Sequence, residues 1–149
     1  MTASPYASAP RGQSRYLLLA LMTLVPAAAS AGADGIPSLR QGLWEYQRTV
    51  GAQRFAATQC VDPSEDLRHQ LEAQGKMGCK FAPAQQDGLT YTYAADCALR
   101  LKSGVVTFSS VSVLTVANDS AYRMETRMTM RGETRSESIT AQRVADCSR

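Results

Sequence analysis

Four cysteines, one histidine, three methionines within one alternating run and a few scattered carboxylates are the groups in this 149-residue chain whose types could do chemistry. Cys60, Cys79, Cys97 and Cys147 follow one another at gaps of 19, 18 and 50 positions. A zinc site or a thioredoxin-like redox pair wants close spacing such as Cys-x-x-Cys, and His69, the only histidine, is adjacent to none of the cysteines. Two structural disulfides are the expected use of the four thiols in an oxidising compartment. Nucleophilic catalysis needs a nucleophile, a base and usually an orienting acid, so His69 would have to serve as the base. It falls two positions after Leu67 in an expected helix and points away from that helix's leucine face. No Gly-x-Ser-x-Gly elbow is present.

Glu65 and Asp66 are adjacent, but both belong to the first turn of that helix, where acids stabilise the cap and the dipole. Glu45 and Glu125 stand alone in expected strands. Together with His69 they are the first substitutions to try if the protein is an enzyme after all. Met124, Met128 and Met130 offer thioethers, which suit copper(I). They share a strand face with Tyr122 opposite a charged face, as a core-facing strand requires. No catalytic residue, metal ligand or cofactor is therefore expected. Arg123, Arg127, Arg131 and Arg135 are interleaved with Glu125, Glu133 and Glu137, which fits cross-strand pairing on a wet sheet face. Trp44 with Tyr46, and Tyr91 with Tyr93, share strand faces and read first as core aromatics. With Met124 and Met128 they are also the candidates to line a ligand.

These groups need elements to position them, and the chain supplies the elements after a leader. Residues up to Arg15 carry Arg11, Arg15 and no acid, and the apolar run YLLLALMTLV follows. Pro26 then interrupts, and small residues lead to Ala29-Ser30-Ala31. That order matches a Sec-type signal cleaved after Ala31, and the apolar run is about half the roughly 20 residues that a membrane helix needs. The expected parts are thus a signal peptide at 1–31, a flexible segment at 32–41 and one domain at 42–149. Loss of the leader leaves 14 basic against 13 acidic residues. A near-neutral domain gives no electrostatic case for nucleic acid or membrane surfaces.

Gly42 to Val50 (GLWEYQRTV) reads as a half-buried strand, turned at Gly51-Ala52 into a return strand over 54–60. Asp62-Pro63-Ser64-Glu65 gives an N-cap acid, a first-turn proline and a capping-box glutamate. One short helix from Pro63 to about Gln74 follows, with Leu67 and Leu71 on one face. Strands over 79–83 and 89–101 flank Asp87-Gly88, a turn that sets Cys79 nearly opposite Cys97. A Cys79–Cys97 bridge is favoured, leaving Cys60 for Cys147, although four cysteines allow three pairings. Strands over 105–116, 122–131 and 134–147 complete the domain, separated by turns at Asn118-Asp119 and Gly132-Glu133. The expected fold is mainly β with one short helix (α+β). It is an antiparallel meander, strongly curved or barrel-like so as to protect its edges, and stapled by two disulfides.

With these landmarks in place, the chain from Gly32 onward resembles the domain-of-unknown-function 3617 (DUF3617) family of small exported bacterial proteins. The resemblance is carried by Gly42-Leu43-Trp44-Glu45-Tyr46, by Cys60 followed by Pro63, Glu65 and Asp66, and by Cys79 and Cys97. The ending Ile139-Thr140-Ala141-Gln142-Arg143-Val144-Ala145-Asp146-Cys147 completes it. The resemblance implies a periplasmic or secreted location and paired cysteines, and it lends no catalytic residues. The functional expectation is a non-enzymatic exported domain that binds a small apolar ligand or an envelope protein. The alternatives are a structural or stress-related envelope component and an unrecognised enzyme. No later stretch is apolar enough to span a membrane, so no stable membrane insertion is expected once the signal is removed.

Overall fold

The structure, a computed structural model, describes residues 35–148. The expected signal peptide and its cleavage point lie outside the described residues. Among the described residues, eight strands and one helix follow in order: β1 (Gly42–Val50), β2 (Gln53–Val61), α1 (Pro63–Lys76), β3 (Cys79–Phe81), β4 (Gln85–Asp87), β5 (Thr90–Leu101), β6 (Gly104–Asn118), β7 (Ala121–Met130) and β8 (Glu133–Ala145). They form one antiparallel sheet in the order β2-β1-β8-β7-β6-β5-β3, with β4 also on β5. β5 to β8 are a meander, and the β1–β2 hairpin adds to its far side through β1–β8 pairing.

The sheet does not close, which corrects the barrel-like expectation. Its edges are β2 and β3, and they do not pair. These are the two strands whose pairing would complete a ring of sequence neighbours. The residues between them have committed their backbone to α1. Asp62 accepts hydrogen bonds from the Ser64 and Glu65 N–H groups at 3.1 and 3.2 Å, and Pro63 starts the helix. β2 also lacks a buried side chain along its length, so no two-sided packing draws the edges together.

The helix runs two residues past its expected end, to Lys76. Gly78 then turns the chain into β3 at φ +109°, where a Cβ would stand 2.6 Å from the Ala98 carbonyl oxygen. Only glycine tolerates both conditions. The strand expected over 79–83 breaks into β3 and β4 around Pro83, which has no N–H for the ladder.

The larger core lies at one end of one sheet face, and a smaller cluster of Cys79, Ala95 and Cys97 with Phe108 packs at the β3 edge. In the larger core Leu39, Trp44, Tyr91, Tyr93, Leu114, Val116 and Ala141 pack together, with Trp44 at 0% and Leu114 at 2% exposure. Trp44 donates its indole N–H to the Arg40 carbonyl at 3.0 Å and lies 5.7 Å, centroid to centroid, from Tyr122. Residues 35–41, expected as a flexible lead-in, are fastened across this core. The Tyr93 hydroxyl donates to the Gly35 carbonyl at 2.8 Å. The Ser64 hydroxyl donates to the Pro37 carbonyl and accepts from the Leu39 N–H, each at 2.8 Å. Arg40 N–H donates to the Asp119 carbonyl at 2.7 Å.

Two disulfides hold the two edges. Cys79 and Cys97 are register partners that join β3 to β5, and Cys60–Cys147 ties β2 to the C-terminal end beyond β8. Because Cys60 lies three residues before α1 and Cys79 three after it, both ends of the helix are anchored near a covalent link.

Candidate ligand-binding site

The face of the sheet that carries the core continues under α1, and there it is not filled. Cross-strand register builds the floor in rows. One runs Phe55, Arg48, Ile139, Met124, Leu114, Tyr91 from β2 to β5. The next runs Gln53, Val50, Glu137, Thr126, Ser112, Tyr93. The second row is short in its middle, where Ser112 and Thr126 pair their hydroxyls at 2.9 Å. The roof is equally economical in bulk. Pro63 is the only buried residue of α1, and Leu67 and Leu71 reach the core from it half-buried. Gln70 and Gln74 follow on the same side, facing the cavities.

Two adjoining cavities result. The first, of about 480 Å³, lies between the N-terminal half of α1 and strands β1, β2, β7 and β8. The second, of about 310 Å³, continues under Leu71, Gln74 and Met77 toward Tyr93 and Phe108. They share Arg48, Leu67, Gln70, Met124 and Ile139, so they form one trough along the helix. Its rim is apolar and open: Phe55 is 52%, Met77 57% and Met128 40% exposed.

Polar groups sit at defined places in the trough. Arg48 is clamped by Glu137, Nε to Oε1 at 2.6 Å and the second nitrogen to Oε2 at 2.8 Å. Near the first turn of α1, Tyr46, Tyr122 and Asp66 all line the first cavity. Burial pushes both tyrosines above their ordinary range, with the Asp66 charge adding to it. Burial does the same to Tyr93.

Of the side chains expected to line a ligand, the structure places Tyr46, Tyr93, Met124 and Met128 on the trough, and it puts Trp44 and Tyr91 in the packed core. Met128 and Met130, read as core-facing, are instead 40% and 37% exposed, because the sheet face beneath them is uncovered. Sequence reasoning missed Phe55, Arg48 and the helix residues Asp66 and Gln70 as lining groups. The four-residue step from Asp66 to Gln70, beside the Leu67/Leu71 pair, was the available signal. Glu45 and Glu125 are exposed on the opposite sheet face, while His69 is exposed on the helix, so the three do not meet. Among the described residues, no three of His, Cys, Asp or Glu gather closely enough to hold a metal ion, and no helix is long and apolar enough to cross a membrane.

No curated protein and no solved structure matches the chain. A family model described as protein of unknown function (DUF3617) matches residues 39–147, from the buried Leu39 to the disulfide at Cys147, and the chain belongs to that family.

Proposed function

We propose that this chain is an exported, non-catalytic binding domain that holds a small apolar molecule in the trough between α1 and the sheet. The observation that carries the reading is the open apolar rim (Phe55, Met77, Phe81, Met128) around cavities of about 480 and 310 Å³. Sites for small molecules are concave, mostly apolar and span ~300–1,000 Å³, with a few placed polar groups. An apolar face left uncovered beside a well-packed core calls for an occupant. Two disulfides in a domain of this size support an oxidising compartment, as does the signal-like order of residues 1–31.

Native mass spectrometry of protein purified from its own host's envelope tests the reading. The expected result is a mass above that of the bare chain, lost on organic extraction and regained with an apolar dye. A bare mass together with no dye uptake contradicts it.

A further inference from the structure

The trough's charge and shape narrow its ligand beyond the reading on which this inference rests. From Pro63 to Met77 it follows one helix for about 20 Å at 1.5 Å per residue, so it suits an extended chain rather than a compact ring system. Among the described residues, its lining holds three charged ones: Arg48, Asp66 and Glu137. Glu137 takes the Nε and one terminal nitrogen of Arg48 and balances its charge, which leaves the Asp66 carboxylate as the net charge. The start of α1 offers an anion nothing either, because Asp62 takes the Ser64 and Glu65 N–H groups and the first turn carries Glu65 and Asp66. Beside Asp66, the Tyr46 and Tyr122 hydroxyls and the Gln59 and Gln70 amides can both donate and accept hydrogen bonds. We infer that the trough takes a single-chain amphiphile whose head is a hydroxyl or an ammonium, seated at the Asp66 end, and that it discriminates against carboxylate heads.

The test uses the disulfide-bonded domain and three probes of equal chain length: dodecanol, dodecylammonium and dodecanoate. Each is titrated below its micelle concentration at low salt, by displacement of a neutral apolar dye. Dodecanol and dodecylammonium should bind, with dodecanoate about ten-fold weaker than dodecylammonium. Asp66→Asn should narrow that ratio by about five-fold, and Glu137→Gln, by releasing Arg48, should raise dodecanoate affinity about five-fold. Glu125→Gln removes the same charge from the opposite face and should leave the ratio where it was. Equal binding of all three probes overturns the head-group inference while the binding site stands. An equal response to Glu125→Gln overturns it too, since bulk charge would then explain the effect. Failure of all three probes to bind sinks the binding site itself.

Discussion

The same sheet face is built in two ways at its two ends. Around Trp44 the chain uses large side chains, covers them with residues 35–41, and pairs the polar atoms of that strap with Tyr93, Ser64 and Asp119. Under α1 it sets Ser112, Thr126 and two alanines of β2 beneath a helix that buries only Pro63, and leaves Phe55 and Met77 more than half exposed. Close packing is the usual state of a protein interior. Its presence at one end and absence at the other separate a region that holds the fold from a region with room for something else.

Substitutions should break the two ends differently. Trp44→Ala at the packed end should cost about 3–5 kcal/mol, read as a lowered urea midpoint. Removing the disulfides comes next, at about 2–4 kcal/mol for each, with Cys60→Ser/Cys147→Ser costing more than Cys79→Ser/Cys97→Ser. The first pair closes a loop with a sequence separation of 87 against 18 for the second. The free-thiol count of the native protein should be zero. Tyr93→Phe removes the bond to the Gly35 carbonyl and should cost about 0.5–1.5 kcal/mol, with faster amide exchange across residues 35–41.

Alkaline pH offers a probe that needs no substitution. Burial raises the hydroxyls of Tyr46, Tyr93 and Tyr122. A group whose folded value is raised contributes stability in full below its unfolded value, about pH 10 for tyrosine, and loses it as pH rises through the folded value. Stability should therefore fall above about pH 10, and ultraviolet titration should show these tyrosines ionising late, with unfolding. The smallest stability effect belongs to the trough rim. Phe55→Ser should change stability by no more than about 0.5 kcal/mol yet weaken uptake of an apolar dye.

Local structure was legible in the sequence wherever one residue's type decided it. Asp62-Pro63 fixed the start of α1, and the alternation of β7 placed Tyr122, Met124, Thr126 and Met128 on one face, as the register with β6 and β8 has them. What depends on distant partners was not legible. The β1–β8 pairing joins residues about a hundred positions apart, and nothing in either strand names the other. The open sheet was missed because edge protection was assumed to require closure. Here, by contrast, the helix between the edges occupies the chain that would have joined them. Ile36, Pro37 and Leu39 look like a short linker until the core they cover is known. The trough was partly visible as a strand face of tyrosine and methionine. Its roof could not be seen, since a helix pattern says which face is apolar and not how tightly that face will seat.

The most direct test is an isotope-filtered NOE experiment on labelled protein saturated with unlabelled dodecanol. Occupancy of the trough predicts contacts from the alkyl chain to the Met124, Ile139 and Leu67 methyls, which converge from floor and roof. Contacts confined to Val105 and Val111, exposed on the opposite face, or no contacts at all, would contradict the account.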